Sequence, residues 1–256
     1  MRCLAALLVV LLISCTGNNV FNESNDYWES EQLLNTDGLE LYIFIPFTED
    51  EMTTMSYDEK LKQRQIPENF LQNMTTKELF YQFVYTDLSK SVLMFNTTKQ
   101  GFEAVTKQFN VLPELLNRAD AGHVLLELLQ KVDPSKLRNS DSFYWFHCLQ
   151  IIIGQKKIIS SMTDEEINDF VLQQLYCHDK IRSISNSNKN WEYPASVKEL
   201  LFGLGNVMIQ YEFDLFMQTL NRNPDTNEFI WDTQYMGEQD ALQVINYAKQ
   251  FKMEKK

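Results

Sequence analysis

Basic residues are scarce in this chain: 23 Lys and Arg stand against 35 Asp and Glu, a formal net charge of −12 at pH 7. A surface that acidic repels phosphate backbones and anionic headgroups, so no nucleic acid is expected as a partner. Cysteine is scarce too. There are four in 256 residues and none in a C-x-x-C pair, which removes disulfide-dense scaffolds and ribbon-type zinc sites. No stretch stays apolar for the roughly twenty residues that a bilayer core demands, so no permanent spanning helix is expected. Period-two alternation of apolar and polar residues does not recur, which argues against a sheet protein. Nor does any segment of about 40 residues repeat itself. Aromatic side chains, by contrast, are plentiful at 12%, with 17 Phe and 11 Tyr, and that content argues against disorder.

What is present begins at the N-terminus. Arg2 precedes an apolar run from Leu4 to Ile13, and polar Thr16, Gly17, Asn18 and Asn19 follow at once, the profile of a secretory signal over residues 1–14. Leu12-Ile13-Ser14-Cys15 resembles the lipobox of bacterial lipoproteins. That resemblance implies that Cys15 receives a diacylglycerol, becomes the first mature residue and is acylated on its new amine. The alternative is an ordinary cleaved signal beside a bystander cysteine. Each buried methylene contributes roughly 0.8 kcal/mol, so two or more acyl chains make a lasting anchor. Residues 15–38, rich in Asn, Ser, Glu and Asp, then read as a lipidated tether with a reach of about 25 Å. No acidic export run follows Cys15, which points to the periplasm-facing side.

Residues 39–256 read as a single helical domain. "LELYIFIPF", Leu39 to Phe47, is a lone strand or an extended segment lying on the core. From there the helix starts are legible. Ser56-x-x-Glu59, Thr75-x-x-Glu78, Thr163-x-x-Glu166 and Ser196-x-x-Glu199 all have capping-box spacing. Apolar stripes follow at helical intervals: Leu79, Phe80, Phe83 and Val84; Phe102, Val105 and Phe109; Val124, Leu125, Leu128, Leu129 and Val132. Pro113 suits the first turn of one helix and Asp120 the cap of the next. "FYWFHCLQIIIGQKKII", apolar nearly all round, predicts the most buried helix. "SNSNKNWEYP" and "NRNPDTNEFIWDTQYMGEQ" read as long loops. The fold class is therefore all-α: stacked antiparallel helix pairs, either armadillo- or HEAT-like or an irregular bundle.

One block resembles a family of exported or lipid-anchored Bacteroidetes proteins to which no activity is assigned. Its matching residues are Ile66, Pro67, Glu68, Met74, Thr75, Leu79, Asn96, Gln100, Gly101, Phe102, Phe109, Asn110, Leu112, Glu114, Leu115, Leu116, Arg118, Asp120, Ala121 and Gly122. They cover about a quarter of the chain. Tyr85-Thr86 stands where relatives often carry Tyr-Pro, so the local turn differs. The resemblance implies a helical exported domain and no particular chemistry. Most of the matches are explicable as packing; Arg118 and Asn110 either satisfy buried carbonyls or face a ligand.

Candidate chemistry centres on His147-Cys148 and Cys177-His178. Neighbouring helical residues diverge by about 100°, whereas ligands from one helix stand three or four apart, so no metal site is expected there. A Cys-His nucleophilic pair lacks an orienting third group and a glycine-rich oxyanion turn. With Cys3 lost in the signal and Cys15 lipidated, Cys148 and Cys177 form one disulfide or remain buried thiols. His123 has no partner in sequence and reads as a surface or capping residue. "DTNE", Asp225 to Glu228, lacks the spacing of a calcium loop. Trp191, Tyr193, Phe229, Trp231 and Tyr235 crowd the two polar loops. Such rings stack on sugars or peptides, or pin the loop to the core. Trp191, Tyr193, Trp231, Tyr235 and Arg118 are thus the expected binding residues, with no catalytic set and no cofactor. The sequence predicts a membrane-tethered, non-enzymatic binding or scaffolding module whose partner is a protein or envelope component. An envelope hydrolase or thiol enzyme is the alternative.

Overall fold

A computed structural model describes residues 38–44, 49–137, 140–187, 197–232 and 236–254. The signal, Cys15 and all of the tether up to residue 37 lie outside the described residues, as do Trp191, Tyr193 and Tyr235. The chain runs through α1 (Glu49–Thr54), α2 (Tyr57–Gln63), α3 (Glu68–Leu71), α4 (Thr76–Val84), α5 (Asp87–Lys90), a 3-10 turn (Ser91–Met94), α6 (Thr98–Gln108), α7 (Val111–Asn117) and α8 (Ala121–Gln130). It continues through a second 3-10 turn (Pro134–Lys136), α9 (Ser140–Ile153), α10 (Lys156–Ile159), α11 (Asp164–Ser187), α12 (Lys198–Gln210), α13 (Asp214–Arg222), α14 (Pro224–Asp232) and α15 (Glu238–Glu254). Among the described residues every regular element is helical, so the protein is all-α. None of the described helices is long and apolar enough to cross a membrane.

Three capping boxes form as the spacing predicts. At Ser56, Thr75 and Thr163 the hydroxyl accepts the backbone N–H three residues on, while the Glu carboxylate accepts the cap's own N–H. The fourth differs. Ser196 lies outside the described residues, Val197 stands at the cap of α12, and Glu199 turns its carboxylate to His147 instead. Asp120 occupies the cap position of α8 without capping it; its carboxylate accepts the Thr76 hydroxyl at 2.5 Å and ties α8 to α4.

The predicted long apolar helix is broken in two. It ends at Gly154-Gln155 and restarts as α10. A Cβ on Gly154 would stand 3.0 Å from Phe202 Cδ1 and 3.2 Å from Gly203 Cα, so α9 and α12 meet backbone to backbone there. Asn206 of α12 donates to the Gly154 carbonyl at 2.8 Å, supplying the bond that the break gives up. In consequence the hub of the fold is α12, which packs on α9, α10, α11, α13, α14 and α15. A single cluster of buried apolar residues runs from Ile66 to Phe251.

Two further expectations are corrected. The segment after Asn221 is helix, not loop: Asn223 Oδ1 accepts the Thr226 N–H, Pro224 starts α14, and Phe229 and Ile230 are buried. Asn before Pro is a cap followed by a residue that needs no donor, which a composition count mistakes for loop. The helix that a continuous run from the Ser196-x-x-Glu199 spacing to about Leu220 would make is two helices, α12 and α13, parted where Glu212 adopts φ +49°. Residues 39–44 are extended rather than a strand. Glu78 and Gln82 of α4 hydrogen-bond their backbone, and Tyr42 and Phe44 rest on Phe70 and Phe109.

Candidate functional site

α6, α7, α9, α10, α12 and α14 line a pocket of about 280 Å3. Its walls are Phe102, Leu116, Ile151, Phe202 and Ile230. Of the polar groups facing it, Asn206 is bonded to the Gly154 carbonyl, Gln155 to the Ile151 carbonyl, Lys157 to Asn117, and Glu199 to His147. Thr98 and Lys99 at the start of α6, Glu103 one turn on, and Lys156 at the start of α10 complete the polar lining. Burial, reinforced by the positive charge of Lys99, lowers the Lys156 ammonium below the ordinary lysine range.

Beside the pocket His147 Nδ1 lies 3.1 Å from Glu199 Oε2, with Glu199 only 7% exposed. Burial raises the Glu199 carboxyl, but attraction to His147 and the hydrogen bond from it outweigh that, with help from Lys198, and the net shift is downward. The other ring nitrogen, His147 Nε2, is buried without a partner and does not line the pocket. The pair therefore has no route by which its outer nitrogen could take a proton from a molecule in the pocket.

The structure does not bring the two His-Cys steps together as a site. Cys148 and Cys177 are free, buried thiols. Cys148 lies by Tyr144 and Glu199, whereas Cys177 lies by Gln173, whose amide reaches the Leu129 carbonyl. Burial pushes each thiol up to about 12, so neither forms a thiolate near neutral pH. His178 is buried against Asp179, and burial lowers its ring despite that neighbour. Among the described residues no group of three or more His, Cys, Asp and Glu side chains is arranged to hold a metal ion.

The remaining candidates serve the scaffold. Arg118 pairs with Glu114 and extends toward the carbonyls of Leu71 and Gln72, closing the end of α3. Asn110 clamps Ile66 reciprocally, accepting its N–H at 3.1 Å and donating to its carbonyl at 2.8 Å. Phe229 is fully buried and pins α14 to the core, and Trp231 stands on the same helix. His123 has partners after all: Glu166 at 2.8 Å and Glu127 at 3.5 Å. The hydrogen bond to Glu166 raises its ring above the ordinary histidine value.

Sequence reasoning missed the pocket because its walls come from helices more than 120 residues apart. One local signal was readable: Lys156-Lys157 and Lys99 are cations bordering apolar stripes in an acidic chain. No protein-family model, curated protein or solved structure matches this chain.

Proposed function

We propose that this protein is a non-enzymatic binding module, held at a bacterial envelope membrane by lipid on Cys15 and carrying its ligand site in the pocket lined by α6, α7, α9, α10, α12 and α14. The observation that supports binding over catalysis is the composition of the site. Apolar walls surround the cavity, four of the polar groups facing it are spent on the protein's own contacts, and no activated nucleophile stands in it. The thiols, which an envelope thiol enzyme would need, are buried and protonated. The envelope setting rests on the Leu12-Ile13-Ser14-Cys15 lipobox and on the resemblance of the block from Ile66 to Gly122 to exported Bacteroidetes proteins. A protein or other envelope component is the partner that a tether of this length would bring within reach.

Radiolabelled palmitate tests the anchor. The wild-type chain takes up label in a globomycin-sensitive way and Cys15→Ser does not; an unlabelled wild type overturns the anchored reading. Iodoacetamide tests the alternative. The folded protein leaves Cys148 and Cys177 unmodified until denaturant is added, and rapid alkylation of either one in the folded state would favour the thiol enzyme.

A further inference from the structure

Resting on the reading of the pocket as a binding site, we infer that its ligand is a small uncharged hydrophobic molecule, up to about two fused rings in size, held by contact with Phe102, Leu116, Ile151, Phe202 and Ile230 and by no ionic bond.

The lining is sorted by burial. Phe102, Ile151 and Ile230 are buried, with Leu116 and Phe202 half-buried beside them, whereas Glu103, Lys156 and Lys157 are exposed. Charges of both signs therefore stand at the mouth, and the interior walls are apolar. Asn206 and Glu199 are also buried, and each is turned to the protein itself: Asn206 donates to the Gly154 carbonyl at 2.8 Å, and Glu199 Oε2 lies 3.1 Å from His147 Nδ1. At the mouth Lys157 reaches Asn117, Gln155 donates to the Ile151 carbonyl, and Lys99 and Lys156 have interactions of their own. Thr98 adds a neutral hydroxyl, which is no counter-charge for an ion. What the interior offers a ligand is contact area.

An ion entering such a space gives up its hydration and finds the buried polar groups already bonded, whereas a hydrocarbon surface gains in proportion to the area it removes from water. Volume sets the size. An apolar cavity of about 150 Å3 is enough to hold benzene. The pocket here, at about 280 Å3, is roughly twice that, so a pair of rings fits and a phospholipid does not. The occupant is a free molecule rather than a side chain of a partner protein. A partner would bring its backbone onto the mouth, against the contact between Lys157 and Asn117; a free molecule displaces nothing.

NMR titration of the full chain, with isoleucine and leucine methyls labelled, tests this with toluene, methylcyclohexane, naphthalene, benzoate and benzylammonium. The three neutral probes shift the methyls of Leu116, Ile151 and Ile230 and give ligand-to-methyl NOEs there. Benzoate and benzylammonium, close to toluene in size, bind more weakly by about tenfold or more. Leu116→Trp adds bulk at a half-buried wall and weakens toluene binding by about tenfold or more, with circular dichroism that matches the wild type. Should that variant not fold, the NOEs to Ile151 and Ile230 in the wild type locate the ligand on their own. If benzoate or benzylammonium binds as tightly as toluene, the uncharged class is overturned while the binding reading stands. Toluene binding without NOEs to these methyls overturns the site. If none of the five probes binds, both the ligand class and the pocket as a binding site are overturned.

Discussion

Gln82 holds Tyr42 by both of its backbone groups: Gln82 Oε1 accepts the Tyr42 N–H at 2.7 Å, and Gln82 Nε2 donates to the Tyr42 carbonyl at 3.2 Å. A helix side chain here does what a neighbouring strand does in a sheet. One turn earlier, Glu78 accepts the Glu40 N–H with one carboxylate oxygen while the other closes the Thr75 capping box. The extended segment of residues 39–44 is thereby fixed to α4 by three hydrogen bonds to its backbone. Gln82→Ala removes two of them and leaves Tyr42's amide and carbonyl unpaired on a half-buried surface, a cost of about 1–3 kcal/mol. Hydrogen exchange reads the effect directly. The Tyr42 and Glu40 amides lose protection together in the variant, while amides in α12 stay protected; unchanged Tyr42 protection would show that the rings of Tyr42 and Phe44 alone hold the segment.

Gly101 is fixed by space. It lies within α6, and a Cβ added to it would stand 2.0 Å from the Val92 carbonyl oxygen and 2.7 Å from its carbon. Backbone atoms cannot step aside as a flexible side chain does, so Gly101→Ala forces α6 away from the 3-10 turn at Ser91–Met94. The expected loss is about 3 kcal/mol, at the upper end of overpacking costs. At Gly122 the nearest atoms to an added Cβ are Met162 Cγ and Ser161 Oγ, both in side chains. Gly122→Ala is therefore milder, and urea midpoints of the two variants measure the difference.

The contrast between these glycines shows which parts of the structure the sequence reveals. Capping boxes at Ser56, Thr75 and Thr163 are readable because both partners lie within four residues and the chemistry is local. Gly101 stands near the start of the Phe102, Val105 and Phe109 stripe, yet the reason for the residue is the Val92 carbonyl, and nothing in the local pattern points to it. The same holds for α12. Its apolar content is lower than that of the Phe143–Ile159 run, but Gly203 lets α9 approach and makes it the hub. Arg118 and Asn110 stand out in sequence as polar residues among core positions. Their partners, the carbonyls of Leu71 and Gln72 and the backbone of Ile66, lie about 45 residues away. The pocket combines both difficulties, since Thr98 and Phe202 share it only after the helices have packed.

Glu212 closes α12 in a conformation better suited to glycine. With φ at +49° it sits in the left-handed region, the Phe213 N–H bonds to the Met208 carbonyl and the Glu212 N–H to the Ile209 carbonyl, which together make a Schellman ending. A side chain in that region costs about 1–2 kcal/mol relative to glycine, part of which glycine's freer unfolded chain gives back. Glu212 is exposed and contributes no core contact. Glu212→Gly accordingly raises the unfolding free energy by about 1 kcal/mol, read from the urea midpoint at constant slope, whereas Glu212→Ala does not.

Buried Glu199, paired with half-buried His147, gives the protein an acid limit. Glu199 has a carboxyl lowered in the folded state: burial raises it, but attraction to His147, the hydrogen bond from it and the charge of Lys198 together outweigh burial. A group with a depressed folded pKa stabilises the protein above its unfolded value, about 4.3 for glutamate, and that contribution disappears as pH falls through the lower folded value. Stability is thus held from neutral pH down to about 4.5 and then falls. Glu199→Ala leaves His147 Nδ1 without the carboxylate it contacts and costs about 1–3 kcal/mol at pH 7. Glu199→Gln keeps the volume and an acceptor oxygen for His147 and costs less. Chemical denaturation of the wild type and Glu199→Gln across pH 3 to 7 separates charge from packing. The two curves converge toward the acid end, where the wild-type carboxyl is protonated and resembles the amide. A constant gap over the whole range would mean that the residue contributes shape alone and that the ion pair with His147 contributes nothing to folding.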